Sequence, residues 1–497
     1  MVRALRLARL STALVSHRVL TPDPTTVADR ASRPGRRADL LVGGSISAGG
    51  SGAKQKARVV SIAQPNQQFA LNFGADYVDE GGAPAPFTVT AGGAERGAPY
   101  EVSMSLRRDQ LPAVTPLRFP AAFVVFVVHA WMYFKGSDRL TFVLPQHHLA
   151  AGVEFFFLLS GFILTYNYLD EFRRPTRRAV WNFYVARWAR IYPVHVLTAL
   201  AALPTTVALI RQGHIHDPAA VAVTHLFLVQ SFVPITSSGV NAFNGVSWSL
   251  SVECCFYLVL PLLIPALTTG SRVRRGAVLL LVLAPWLAAV AAVLGAFTMP
   301  VWLNAYRLPP VRMVDFVVGI LLGLWWCKRN PGLTVERGPV GRATVAEVAA
   351  VVGLGLWGWE CARIMDGSPR EWAVAWTGVY LPPFAVCLWV FARGGGLVSR
   401  VLASGPLTYL GEISYAFYMI HIPVFLAFIR YGGRIRFLSW EWKWQWAAVG
   451  VTTFALAVAC YHLYEIPLRD RLRKRLSIRK PVPQPVAVPE APARRAA

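Results

Sequence analysis

About ten stretches of this chain, each roughly 17–23 residues long, carry few or no charges, and that property excludes most folds. They lie near 117–135, 149–169, 193–210, 248–268, 276–298, 311–327, 345–361, 372–392, 407–429 and 444–466. A run of this length crosses the hydrocarbon core of a bilayer as a helix, because a helix pairs its own backbone N–H and C=O groups where no water can. The chain therefore reads as an all-α, polytopic transmembrane helix bundle of about ten spans. A shorter apolar stretch near 219–234 holds His225 and Gln230 and suits a re-entrant or interfacial segment.

The formal net charge of +24 would suit a nucleic-acid partner, but the positions of the charges exclude one. Lys and Arg cluster in short loops beside the apolar runs. Arg173, Arg174, Arg177, Arg178, Arg187 and Arg190 share one loop; Arg272, Arg274 and Arg275 share another; further cations follow in alternate loops and after Leu468. These segments hold over twice as many cations as the opposite loops, the positive-inside pattern of a multi-pass inner (plasma) membrane protein with both termini cytoplasmic. The stretch Arg430–Lys443, with four cations, runs against it locally. The six cysteines show neither a disulfide framework nor a metal-ligand spacing, so no metal is expected.

Residues 1–103 are rich in Ala, Gly, Arg and Ser, without sustained periodicity, and are expected to be disordered. Their Arg-rich start resembles an organelle transit peptide; translation from Met104 is the competing reading. A transmembrane domain is expected over 104–475, followed by a disordered basic and Pro/Ala-rich tail over 476–497.

Within the first span, Arg118 stands eleven residues before His129. At about 100° per residue the two share a helix face, roughly 16 Å apart along the axis. Ionisable groups inside a span are costly and mark function, although a snorkelling cation and a packing histidine would account for each taken singly. Arg187 and Arg190, three apart in WNFYVARWARIYP, offer two guanidinium forks that suit phosphate oxygens. Membrane-edge topology is the competing explanation. In WSLSVECCFY, Ser249, Glu253 and Tyr257 form a polar stripe at four-residue spacing; a structural pair between Glu253 and an arginine of another helix is the competing reading. In SYAFYMIHIP, Ser414, Tyr418 and His421 share one face, for packing or for an acceptor. Glu154 and the Ser160–Gly161 pair in GVEFFFLLSGF suit close helix contact.

The ordered set LRFPAAFVVFVVH, GVEFFFLLSGF, RWARIYP, WSLSVE, ISYAFYMIH and YHLYEIPL resembles the acyltransferase type 3 family of integral membrane O-acyltransferases, over about residues 115–475. The resemblance implies a ten-helix bundle taking an acyl group from cytoplasmic acyl-CoA to a hydroxyl of a sugar, a cell-surface glycan or a secondary metabolite. It implies Arg118 and His129 as the family's arginine–histidine pair, with His129 essential. Arg187 and Arg190 would handle the donor, and Glu253 would be the embedded acid. Where relatives carry a second acid and a glutamine, this chain has Cys254 and Cys255, which leaves a carboxylate pair without support.

The chemistry agrees with that placement. Arginines would neutralise the phosphates of the co-substrate acyl-CoA, and a neutral His129 would accept the proton of an attacking hydroxyl; acylation of the histidine is a variant. The expected partners are thus the lipid bilayer, acyl-CoA and a hydroxyl-bearing acceptor. The rival expectation is a proton-coupled secondary transporter or exporter with His129, Glu253 and His421 as the relay.

Overall fold

The computed structural model describes residues 45–46, 57–58, 60–64, 67–71, 111–134, 151–233, 242–295, 304–330, 338–364 and 378–478. The chain divides into two units, residues 1–106 with 483–497, and residues 107–482. The disorder expected for 1–103 and 476–497 falls almost wholly outside the described residues. Those described in the first unit form two antiparallel pairs, β1 (Ser45–Ile46) with β2 (Ala57–Arg58) and β3 (Val60–Gln64) with β4 (Gln67–Leu71).

The second unit is helical. Its elements are α1 (Arg118–Phe134), α2 (Gly152–Phe172), α3 (Arg177–Arg211), α4 (Pro218–Leu226), α5 (Trp248–Thr268), α6 (Arg272–Gly295) and α7 (Pro309–Arg329). Then follow α8 (Val340–Ile364), α9 (Leu381–Arg393), α10 (Leu397–Leu402), α11 (Gly405–Tyr431), α12 (Trp442–Cys460), a π turn (Tyr461–Glu465) and α13 (Ile466–Leu476). Eight helices among the described residues are long and apolar enough to cross a membrane. Two shorter apolar ones, α1 and α9, coincide with the other two expected runs. The chain is a multi-pass membrane protein. The short stretch near 219–234 folds as the nine-residue α4 and a 3-10 turn, too short to span.

One expectation changes. Residues 177–192, read as a cytoplasmic loop, are the first turns of α3, which runs unbroken for 35 residues through Pro193 and Pro204. Thr176 caps it, its hydroxyl accepting from the Ala179 N–H at 3.2 Å. Arg187 and Arg190 are therefore fixed on a rigid helix, not carried by a loop. The far end of the chain braces the same turns: Trp181 Nε1 donates to the Leu476 carbonyl at 2.9 Å, and Ile478 N–H donates to Asn182 Oδ1 at 2.7 Å.

Burial separates core from rim. The apolar windows of α2, α7 and α11 are 72%, 67% and 67% buried, against 11% for both α6 and α8. Rim helices so exposed and so apolar face lipid. The core is drawn together where side chains are missing. A Cβ on Gly161 would collide with the Phe316 carbonyl oxygen, and one on Gly319 with that of Leu158. The backbones of α2 and α7 therefore touch, as small residues permit in membranes. Beside this seam the Phe256 and Phe316 rings stack at 4.4 Å.

Candidate functional site

Two groups of polar side chains lie along α1, one tier at Arg118 and one at His129. In the first tier Arg118 is half-buried and makes no hydrogen bond or ion pair with any described residue. It stands within electrostatic reach of Arg187, Arg190, Glu253 and Tyr257. These residues come from α1, α3 and α5, so the fold assembles what the sequence kept apart.

The two α3 arginines are not equivalent, contrary to the expected pair of free forks. Arg190 is ion-paired with Glu465 of the π turn, whose side chain is 1% exposed, and lies over the Tyr415 ring at 5.4 Å. Tyr415 in turn donates to the Ile191 carbonyl at 2.6 Å. Arg187 has no carboxylate partner among the described residues. Its guanidinium lies about 6 Å from the rings of Tyr168 (6.0 Å), Phe183 (6.0 Å) and Tyr257 (5.9 Å), and its buried Nε has no hydrogen-bond partner. Among the described residues the unpaired cations of this tier are thus Arg118 and Arg187. Glu465 escaped sequence reasoning, because nothing in YHLYEIPL points to a residue 275 positions earlier.

Glu253 lies between the tiers. It accepts hydrogen bonds from Tyr257 and, at 3.5 Å, from Ser160. Among the described residues these are its hydrogen bonds, and it lies within electrostatic reach of Arg118. The structural pairing considered for it takes the form of a tyrosine and a serine. Cys254 and Cys255 supply no second carboxylate.

In the second tier the imidazoles of His129 and His421 meet, with ring centroids 5.1 Å apart. His129 Nδ1 is 3.0 Å from the Val125 carbonyl oxygen and 3.2 Å from His421 Nε2. His421 Nδ1 points at the Tyr418 carbonyl. A carbonyl can only accept, so in each neutral ring Nδ1 carries the proton. His421 Nε2 is then a lone pair facing His129 Nδ1–H, and His129 Nε2 is left as the unprotonated nitrogen. His421 is fully buried, whereas His129 is half-buried.

The other expected acceptor-side residues divide. Tyr418 and Ser249 meet at 2.9 Å between hydroxyls, and Ser249 donates to the Val246 carbonyl at 3.0 Å. Ser414 donates to the Gly411 carbonyl of its own helix at 2.7 Å and serves packing. Tyr257 belongs to the first tier. Glu154, buried at 3%, sits with Arg312 and Asp315. There Arg312 donates to Asp315 at 3.3 Å and to the Tyr306 carbonyl at 2.7 Å. No cluster of three metal-binding side chains occurs among the described residues.

A sequence profile of the acyltransferase domain matches residues 113–462, which takes in both tiers apart from Glu465. The chain belongs to the acyltransferase type 3 family. The enzyme is 30% identical to acyltransferase MdmB of Streptomyces mycarofaciens over 78% of its own length and 99% of that relative. It is 30% identical to nodulation protein 10 of Rhizobium leguminosarum bv. viciae over 35% of its length. It is 23% identical to O-acetyltransferase OatA of Staphylococcus aureus over 64% of its length. Of these last two the match spans about half, 49% and 52%. No solved structure matches the acyltransferase. The family makes the protein a transferase and favours transfer over the transport alternative.

Proposed function

We propose that the enzyme moves a short acyl group from cytoplasmic acyl-CoA to a hydroxyl of a sugar, a cell-surface glycan or a secondary metabolite, in the inner (plasma) membrane. A relative named as an O-acetyltransferase supports oxygen as the acceptor atom and acetyl as the scale of the group. The positive-inside pattern supports a cytoplasmic first tier and cytoplasmic termini.

In this reading Arg118 and Arg187, the first-tier cations that no described carboxylate pairs, meet the phosphates of the donor. Arg190, held by Glu465, keeps the first turns of α3 against the end of the chain. The flexible arm of the donor runs roughly 16 Å along α1 to bring its thioester to His129. His129 Nε2 takes the proton of the acceptor hydroxyl as the oxygen attacks the thioester carbonyl. The tetrahedral intermediate collapses with cleavage of the C–S bond, and the thiolate leaves with the proton from the imidazolium. Ester and free thiol are the products, and the proton count closes.

The observation that carries this reading is the engagement of His129 Nδ1 by a carbonyl and a second imidazole, which leaves Nε2 as the base. The test is acyl-CoA-dependent transfer and donor hydrolysis by purified His129→Ala protein. Both are expected to vanish while the protein stays folded; activity near the wild-type level would remove His129 from the chemistry.

A further inference from the structure

We propose that Arg307 forms an anion-accepting subsite on the side of His129 opposite Arg118, and that it takes a carboxylate or phosphate carried by the acceptor. The proposal rests on the acyl-transfer reading and adds the chemical class of the second substrate.

Arg307 lies just before α7, with its guanidinium 5.7 Å from the centre of the Trp248 ring. Trp248 packs on Tyr306 at 4.9 Å, so the arginine rests on an aromatic support fixed from behind. Among the described residues Arg307 has no hydrogen-bond or ion-pair partner, and its Nε is buried without one. Five residues on, Arg312 is the contrast: it is bound by Asp315 and by the Tyr306 carbonyl and has its own ring contact at 4.2 Å. The Asp315 charge is thus committed to Arg312. A half-buried guanidinium held against a ring and paired with no described residue suits an anion, because leaving buried donors unpaired is costly.

Its position assigns it to the acceptor. Trp248 begins α5, and the next residue, Ser249, bonds the hydroxyl of Tyr418. The Tyr418 ring is 5.8 Å from that of His421, which is in contact with His129. A short chain of neighbours thus leads from Arg307 to the catalytic imidazole. At the other end of α7 stand Lys328 and Arg329, so Arg307 lies at the end of that helix away from the basic loops. Arg118 stands eleven residues before His129 at the start of α1, the end that the donor arginines share, whereas Arg307 lies at the end of α7 away from the basic loops, which suits a second substrate entering from the opposite face. A guanidinium binds carboxylate and phosphate oxygens in a bidentate fork, which also fixes how the acceptor is turned.

The test is equilibrium binding to the full-length protein in lipid nanodiscs of three probes: methyl glucuronide, methyl glucoside 6-phosphate and neutral methyl glucoside. One or both acidic probes are expected to saturate, at least about tenfold more tightly than the neutral sugar. Arg307→Gln should bring them to the neutral level, and Arg307→Lys should retain part of the difference. The proposal falls if neither acidic probe binds, if the neutral sugar binds as tightly, or if Arg307→Gln binds the acids unchanged. His129→Ala should bind the acidic probe as the wild type does while failing to transfer. An active His129→Ala protein would therefore overturn the base assignment and leave the subsite standing.

Discussion

Removal of the second imidazole tests the two-histidine arrangement most directly. In the resting enzyme the His129 Nδ1–H is already satisfied by the Val125 carbonyl at 3.0 Å, so His421 adds little there. On the proposed mechanism His129 takes the hydroxyl proton and becomes a cation, and the His421 Nε2 lone pair at 3.2 Å is its second acceptor. A hydrogen bond to a charged group contributes about 1.5–3 kcal/mol. Because that contribution arises only as charge develops, it belongs to the barrier. At about 1.4 kcal/mol per decade it corresponds to a roughly 10- to 150-fold loss of kcat in His421→Leu, with little change in donor KM. His421→Gln, which returns an oxygen acceptor near the Nε2 position, should recover much of it. Kinetics of donor hydrolysis and transfer by the wild type and the two His421 variants decide the matter. A His421→Leu enzyme within twofold of wild type, or a His421→Gln enzyme no better than His421→Leu, would refute the reasoning.

The two α3 arginines should respond differently. Arg190→Ala strands the buried Glu465 carboxylate and is expected to destabilise the protein by about 3–5 kcal/mol, read by denaturation in detergent. Arg187→Ala should leave stability closer to wild type and raise donor KM instead; an unchanged donor KM would count against the phosphate role. At the α2–α7 seam, Gly319→Ala sets a methyl against the Leu158 backbone and should cost about 1–3 kcal/mol or prevent folding. Gly276→Ala, with nothing within 4 Å of the added atom, is the control and should be neutral or slightly stabilising in the same measurement.

The helices were legible because an apolar run in a membrane has essentially one structural solution. Faces within a helix were legible too: Arg118 and His129 share α1, and Tyr418 and His421 share α11, as helical spacing requires. Which faces meet was not. The partner of Arg190 comes from a turn near the end of the chain, and spacing within α3 carries no trace of it. Arg307 stood in the sequence as one more loop cation, and only the neighbouring Trp248 and the satisfied Arg312 set it apart. Ser414 had the right periodicity for the site, but its hydroxyl found a carbonyl one turn back, a local bond that competes with any distant role. Arg187 and Arg190 were legible as neighbours on one helix face, but the start of α3 was not, because its basic first turns resemble a membrane-edge loop.

Where α2 and α7 meet backbone to backbone, no side chain intervenes that could be trimmed to make room. Sequence drift at that junction can only push the two helices apart, so it is closed to the enlargement by which an enzyme acquires bulkier substrates. Diversification of what this scaffold acylates must instead proceed through the walls contributed by α1, α5 and α11, where exchangeable side chains do the enclosing.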